Sequence, residues 1–281
     1  MKCPKCQFEI PEGLTFCGRR GAKLEKFCPT CNEVRLMNFK KTTYVMSVLL
    51  TLVLFMPFQG RAQLSPHEGG ATQMKTTNGV TVYKNLREIV EPKHSCLIVW
   101  DVQNGLVDRI FNKEEFIATL KIFIEKMRNK MPVVYTLITP LPKGFVSSWN
   151  YYSMMKRFNV DDIKKLPPFM AIGSKDREIP EAVKPQSTDI VLEKHTASIF
   201  IGTNFEYMMR NRGVTTLIFT GIATEFGIES SARDASNRGF YPVVVSDCVS
   251  SMDKEAHERS LRNLAKLLIV EKSRDILQNI D

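Results

Sequence analysis

The feature that most constrains this chain is the alternation of short apolar runs with amphipathic helical patterns over residues 94–272. The apolar runs are rich in Val, Ile and Leu and have the length and composition of buried strands. They lie at residues 94–103, 132–138, 189–194, 215–221, 241–247 and 267–272. Residues 112–130 and 254–268 carry apolar side chains at helical spacing, and further helices are predicted from about Asn204 and from Thr224. Strands that alternate with helices of this length form a parallel sheet covered by helices on both faces.

Amino-acid composition indicates the number of domains and limits the classes of molecule that the chain is expected to bind. A chain of 281 residues with 43% hydrophobic content can bury one sizeable core. We therefore predict an α/β fold, a Rossmann-like three-layer sandwich with a mostly parallel six-stranded sheet. Residues 1–63 hold ten Lys and Arg against four Asp and Glu, which accounts for six of the nine net positive charges. The rest of the chain is only weakly basic, so no nucleic-acid partner is expected.

Five of the seven cysteines lie in the first 36 residues. Two Cys-x-x-Cys pairs, Cys3/Cys6 and Cys28/Cys31, can each offer two thiolates to a tetrahedral zinc ion. The segment resembles a bacterial double zinc ribbon, but Arg20 stands where that pattern would have another cysteine. Residues 1–36 are therefore expected to be a degenerate zinc ribbon with a structural zinc, or an upstream extension of the natural protein.

Residues 37–63 carry the parts of a secretory signal in order. Lys40 and Lys41 form a charged start, residues 44–58 form an apolar run, and Gly60 and Ala62 then supply small residues at the positions that a signal peptidase reads. The run is short for a membrane span, which needs about 20 apolar residues. Three interpretations stay open: a cleaved signal after a natural start at Met37, an uncleaved signal anchor, or a buried core helix. Either signal predicts an exported domain, periplasmic or secreted, or one held outside the bacterial inner membrane by residues 44–58.

Residues 64–90 are predicted to be a linker and residues 91–281 the main domain. Within that domain, polar residues follow three predicted strands: Asp101, Lys194 and the turn that leads to Gly227. Ligands of parallel sheets bind beyond the carboxyl ends of the strands. Taken singly, each of these residues has an ordinary structural explanation, such as a loop aspartate, a surface lysine or a helix cap. Their combination predicts a site at this edge of the sheet.

These stretches resemble the isochorismatase-like hydrolase family, which includes isochorismatases, nicotinamidases and N-carbamoylsarcosine amidases. The resemblance covers about residues 93–272. The matching motifs are LIVWDVQN at 97–104, Lys194 followed by SIFIGT at 198–203, TGIAT at 220–224 with ARDA at 232–235, and VVVSD at 243–247. The resemblance implies a hydrolase that acts on a small molecule, and a homo-oligomer.

The resemblance also implies roles for individual residues. Amidases of the family use an Asp, Lys, Cys triad, in which Asp101 and Lys194 match the first two members and Gly227 takes the place of the cysteine. A non-proline cis peptide is expected at Ile222-Ala223, and this turn with Gly227 would supply backbone donors to an oxyanion. Because glycine has no nucleophile, a covalent thioester is excluded if Gly227 occupies that position. Cys248 is a possible substitute thiol. The favoured interpretation is that it is a buried core cysteine.

Two chemical routes remain for a site without the thiol. The resemblance implies the first, since family members that cleave the enol ether of isochorismate lack the cysteine: Asp101 would protonate the enol-ether carbon and Lys194 would contact a substrate carboxylate or oxygen. In the second, Asp101 would act as a base on water. The first route needs the pKa of Asp101 to be raised by burial, against the lowering effect of Lys194. Trp100, Gln103, Phe145 and Trp149 are predicted to line the substrate pocket. The alternative from another functional class is an inactive family member that binds a small molecule or serves as an oligomeric scaffold.

No cofactor is expected for the hydrolase domain. The nicotinamidase branch of the family carries a metal site, usually Asp-x-His plus a second His, soon after the second strand. The corresponding stretch here, TLITPLPKGF at residues 136–145, contains neither aspartate nor histidine. His195 adjoins Lys194, but one histidine does not make a metal site.

Overall fold

The computed structural model describes residues 25–27, 34–35, 75–77, 80–142 and 144–280. The chain divides into two units, Met1–His67 and Glu68–Asp281. In the first unit, Glu25–Phe27 and Val34–Arg35 pair as short antiparallel strands. The predicted zinc ligands Cys3, Cys6, Cys28 and Cys31 and the predicted signal at residues 37–63 lie outside the described residues. Within the described part of the chain, no helix is both long enough and apolar enough to cross a membrane.

The second unit is built on a six-stranded sheet. Its strands are β1 Ser95–Trp100, β2 Val133–Ile138, β3 Ile190–Lys194, β4 Thr216–Ile222, β5 Tyr241–Ser250 and β6 Ile269–Glu271. Their spatial order is β6-β5-β4-β1-β2-β3. Every neighbouring pair is parallel, so the predicted α/β class and mostly parallel sheet are confirmed.

Most of the helices connect these strands, whereas the first precedes β1 and the last follows β6. They are α1 Leu86–Ile89, α2 Asn104–Val107, α3 Lys113–Arg128, α4 Ser148–Phe158, α5 Phe205–Asn211, α6 Glu229–Asn237, α7 Lys254–Leu264 and α8 Ser273–Asn279. A π-helical turn, Thr224–Ile228, leads directly into α6. Four short 3-10 segments lie at Pro92–His94, Ile163–Lys165, Lys175–Arg177 and Glu181–Val183.

Two apolar layers, one on each face of the sheet, hold the sandwich together. Alternate β1 residues serve opposite faces: Leu97 and Val99 belong to one layer, whereas Cys96, Ile98 and Trp100 belong to the other. The first layer contains the buried side of α3, whose residues Phe116, Leu120, Phe123, Ile124 and Met127 recur at helical spacing. The second layer contains residues of α5, α6 and α7.

The packed unit begins upstream of residue 91, inside the stretch predicted to be a linker. Lys75–Thr77 and Val80–Val82 form an antiparallel pair. The Tyr83 ring then stacks on the His94 ring with a centroid separation of 4.7 Å, and Ile89 and Val90 are buried. The core therefore recruits apolar residues at the end of the predicted linker.

Two further differences concern the carboxyl ends of the strands. Strand β5 runs to Ser250, beyond the predicted end at 247, because its pairing with β4 shifts register between Phe219 and Gly221. The 139–188 stretch, between the second and third predicted strands, holds α4 and three of the 3-10 segments. It lies between β2 and β3, on the way from one strand end of the site to the next.

Candidate active site

The candidate site lies where the strand order reverses. Strand β1 has β2, its successor in sequence, on one side. On its other side lies β4, which is not consecutive with it in sequence. Connections on the two sides of such a point leave in opposite directions and open a crevice at the carboxyl ends of the strands. Asp101 follows β1, and the turn to Thr224–Ile228 follows β4. Lys194 ends β3, two strands from β1, so its long side chain has to reach across the end of β2.

The structure brings Asp101 and Lys194 into direct contact. Lys194 Nζ donates to Asp101 Oδ2 at 2.6 Å, and Thr136 Oγ1 donates to Asp101 Oδ1 at 2.6 Å. Lys194 Nζ also donates to the carbonyl of Thr196 at 3.1 Å. Both ionisable side chains are buried. Asp101 has a backbone φ of +46°, a conformation that non-glycine residues adopt at a cost of about 1–3 kcal/mol. The carboxylate is therefore fixed by two donors and by a strained backbone.

Burial decides the electrostatics of this pair. It raises the pKa of Asp101 above its usual range, because the loss of water outweighs the opposing effect of the Lys194 charge and the two donated hydrogen bonds. Burial also lowers the pKa of Lys194, and Asp101 opposes that shift. The two pKa values are thus drawn toward each other. The direction of the Asp101 shift is the one that the acid route needs.

The turn after β4 has an unusual backbone. The peptide bond between Ile222 and Ala223 is cis, as the resemblance implies. Gly221 has a φ of +114°, and a Cβ added there would lie 2.1 Å from the carbonyl oxygen of Trp100. Only glycine combines that φ with so close an approach to β1. The turn then enters a helical run, 224–237, whose amino end faces the crevice and favours negative charge.

Gly227 lies in this first helical turn, against the indole of Trp100. A Cβ added at Gly227 would lie 2.1 Å from Trp100 Nε1 and 2.4 Å from Cε2. Lys194 Nζ sits 4.1 Å from the centroid of the same ring. Trp100 is only 1% exposed. It therefore packs between Lys194 and the helix start and offers almost no surface to a pocket. Small residues continue along the helix, where Ser231, Ala232 and Ala235 are buried against the sheet.

The Gln103 side chain joins neighbouring backbone segments beside the site through hydrogen bonds. Its Nε2 donates to the carbonyls of Ile138 at 3.3 Å and Arg177 at 3.1 Å, and its Oε1 accepts from the Ile138 N–H at 2.8 Å. These bonds join the loop after β1 to the end of β2 and to the 139–188 stretch. The side chain is fully buried, so its amide is committed to these contacts.

Phe145 and Trp149 are not brought into the Asp101–Lys194 cluster. Phe145 is 77% exposed and Trp149 is 69% exposed. Trp149 stacks on Tyr152 in the same helix, α4, which buries none of its residues. These two aromatic side chains, predicted to line the pocket together with Trp100 and Gln103, therefore lie on the protein surface in this structure.

Sequence reasoning missed Thr136. Its hydroxyl contacts Asp101, and its backbone carbonyl accepts from the Asp101 N–H at 3.2 Å. The signal was present, since Thr136 is a polar residue in the apolar run PVVYTLI, and it pairs in register with Trp100, immediately before Asp101.

Cys248, considered as a substitute thiol, is fully buried, and burial raises its pKa. His195 Nδ1 contacts the Thr139 carbonyl at 2.7 Å.

Comparisons with known proteins agree on one family. The isochorismatase domain model matches residues 95–273. YwoC, an uncharacterized isochorismatase family protein of Bacillus subtilis, is 36% identical over 179 residues, covering 62% of this chain and 86% of that protein. The ureidoacrylate amidohydrolase RutB of Methylobacterium radiotolerans is 38% identical over 96 residues, 34% of this chain and 37% of its own length. The maleamate amidohydrolase of Pseudomonas putida is 38% identical over 81 residues, 29% of this chain and 38% of its own length.

Solved structures share the fold. An isochorismatase family protein from Burkholderia thailandensis superposes with a TM-score of 0.55 at 27% identity, covering 66% of this chain and 95% of that one. A cysteine hydrolase from Pseudomonas syringae pv. phaseolicola gives a TM-score of 0.59 at 20% identity, with 68% and 94% covered. At that identity the second likeness concerns the fold alone.

Proposed function

Since this chain belongs to the isochorismatase family, we propose that it hydrolyses a small molecule by acid/base chemistry at Asp101 and Lys194, without a covalent enzyme intermediate. The observation that carries the proposal is the buried 2.6 Å contact between Lys194 and Asp101 beside a helix start that presents Gly227. The position expected to hold the nucleophile has no side chain. Asp101 and Lys194, the charged residues expected to serve that nucleophile, are nevertheless present and in direct contact.

For an enol ether the proposed reaction begins with proton transfer from the Asp101 carboxyl to the substrate carbon. The carbon–oxygen unit that remains carries positive charge, and the newly formed Asp101 carboxylate lies next to it. Water then adds to that centre and returns a proton to Asp101. The resulting hemiketal collapses to a ketone and releases the alcohol. Each proton that Asp101 gives is regained, so one carboxyl group suffices for turnover.

Lys194 has two tasks in this proposal. It donates to Asp101 Oδ2 and so stabilises the carboxylate that forms after proton transfer. Its charge is also available to a carboxylate or oxygen of the substrate. Thr136 holds the other carboxylate oxygen and fixes the orientation of the group. The amino end of the 224–237 helical run favours a substrate carboxylate or a developing oxyanion nearby.

An amide substrate would call for a different use of the same residues. Asp101 would take a proton from water, and the hydroxide would attack the carbonyl while the helix start holds the oxyanion. The names of RutB and maleamate amidohydrolase make this second candidate worth testing. The raised pKa of Asp101 favours the acid route, since a base at neutral pH has to be ionised.

The test is a substrate panel with three chemical classes: isochorismate as an enol ether, maleamate as an amide and ureidoacrylate as a carbamoyl compound. The purified wild-type chain, Asp101→Asn and Lys194→Met are assayed side by side, with circular dichroism as a check on folding. We expect turnover of the enol ether by the wild type and a loss of at least about 100-fold in Asp101→Asn. Wild-type rates on a substrate in a folded Asp101→Asn variant would exclude the proposed role. Binding without turnover across the panel would favour the inactive family member.

A further inference from the structure

We infer that Trp100 is a positioning residue of this site: its indole fills the space that a side chain at residue 227 would need and braces the Lys194 ammonium next to Asp101. Trp100 and Gly227 then form one unit, in which each residue requires the other. The catalytic part of this inference rests on the proposed function, because it assumes that Lys194 serves the reaction. The steric part stands on the geometry alone.

The steric part follows from the contact between the ring and the helix. A Cβ at Gly227 would approach Trp100 Nε1, Cε2 and Cζ2 at 2.1, 2.4 and 2.7 Å, all below van der Waals contact. The ring has little room to withdraw, because it is buried in the same apolar layer as Ile228 and Ala232. Its backbone is held as well, since Gly221 packs directly against the Trp100 carbonyl. The space of a nucleophile is thus occupied rather than left open.

The electrostatic part follows from the contact between the ring and Lys194. Lys194 Nζ lies 4.1 Å from the ring centroid and donates to Asp101 and to the Thr196 carbonyl. A desolvated ammonium over the face of an indole is attracted by the negative potential of the ring. This attraction favours the charged form of Lys194 and opposes the effect of burial. The ring therefore contacts the same ammonium that the two hydrogen-bond acceptors hold.

The two parts explain why a buried tryptophan directly precedes the catalytic aspartate. A smaller residue at 100 would leave a cavity between Lys194 and the helix start. Any side chain at 227 would push the ring toward Lys194. The class of residue that this site requires at position 100 is therefore a large aromatic, and the residue that it requires at 227 is glycine.

The steric part is tested by a double-mutant cycle in the full chain, read by thermal unfolding. Gly227→Ala is expected to lower the melting temperature by roughly 5 °C or more in the wild-type background, as overpacking does. In the Trp100→Leu background, the same change should have no cost or should raise the melting temperature, because alanine is the better helix former once the clash is gone. An equal loss in both backgrounds would overturn the inference.

The electrostatic part is tested by NMR titration of the Lys194 Cε resonance, assigned by its absence in Lys194→Met. We expect the pKa of Lys194 to fall further in Trp100→Leu than in Trp100→Phe, which keeps a ring face. Where a substrate is turned over, the alkaline limb of the pH–rate profile should move to lower pH in the same order. Unchanged titration in both variants would overturn this part, and Trp100→Phe keeps the test available if Trp100→Leu does not fold.

Neither the melting cycle nor the titration requires turnover. A protein that shows both couplings but hydrolyses nothing would contradict the proposed function and leave the positioning role intact. A protein that hydrolyses a substrate but shows neither coupling would contradict the positioning role alone.

Discussion

Removing one member of the Asp101–Lys194 pair is expected to destabilise the protein with a pH dependence whose sign depends on which member is removed. The pair is buried and joined by a 2.6 Å contact. Breaking such a pair by removing one partner costs about 3–5 kcal/mol, because the remaining charge is left without compensation. The remaining group can escape part of that cost by becoming neutral, and the pH at which it does so sets the direction of the effect.

In Lys194→Met the remaining group is the Asp101 carboxyl. Burial already raises its pKa in the folded protein, and the main opposing charge is gone. Between the ordinary carboxyl pKa and this raised pKa, the folded state binds a proton that the unfolded state has lost. Stability is therefore highest at low pH and falls as pH rises through that window.

In Asp101→Asn the remaining group is the Lys194 amine, and the sign reverses. Burial lowers its pKa in the folded protein, and the carboxylate that opposed this shift is gone. Between the lowered pKa and the ordinary lysine pKa, the unfolded state binds a proton that the folded state lacks. Stability therefore rises with pH through that window. The limiting slope in each case is about 1.4 kcal/mol per pH unit for one proton.

The assay is urea unfolding of the wild type, both single variants and the double variant Asp101→Asn/Lys194→Met at several pH values between about 5 and 9. The double variant is the matched control, because it keeps similar volumes and removes both titrating groups. Each single variant is compared with it, so that the other ionisable groups cancel. Opposite slopes relative to the double variant are expected. Parallel curves for all three variants would refute the reasoning that burial controls both groups.

Two further predictions concern groups around the site. Gln103→Leu should lower the free energy of unfolding by about 2–3 kcal/mol, because it leaves partly buried backbone groups of Ile138 and Arg177 without these partners. Urea unfolding checks this, and a loss comparable to that of an exposed substitution would contradict it. Cys96 and Cys248 should react slowly with iodoacetamide in the native state, since both are buried and burial raises the pKa of Cys96 to about 12. Peptide mass spectrometry measures the labelling, and fast modification of Cys248 with loss of activity would contradict the noncovalent account.

The strands and the two ionisable partners could be predicted because each depends on local pattern. Runs such as LIVW at 97–100 are long enough and apolar enough to define a buried strand without knowledge of its neighbours. Asp101 and Lys194 stand at the ends of two such runs, and parallel strands bring their carboxyl ends to the same edge. Their contact therefore follows from the class of sheet together with the length of the lysine side chain.

The other features of the site depend on distances between elements that are far apart in the sequence, and a local sequence pattern does not reveal such distances. Phe145 and Trp149 have suitable chemistry for a pocket wall, but their placement depends on the 139–188 stretch, which lacks a repeating pattern. Trp100 looked like a pocket residue because it adjoins Asp101. In a strand, however, successive side chains point to opposite faces, and this one packs under Lys194 against the helix start. The close approach of the ring to Gly227 becomes visible only when β1 and the 224–237 helical run are placed together.

Intact-mass spectrometry during turnover tests most directly whether hydrolysis proceeds without a covalent enzyme intermediate, as proposed. The wild-type chain is mixed with whichever panel compound it hydrolyses, quenched in acid at times shorter than one turnover and during steady state, and weighed. We expect an unmodified protein mass at every time point, together with the loss of turnover in Asp101→Asn. A substrate-derived mass increase that forms and decays at the rate of turnover would contradict it, and peptide mapping would identify the residue that carries the adduct.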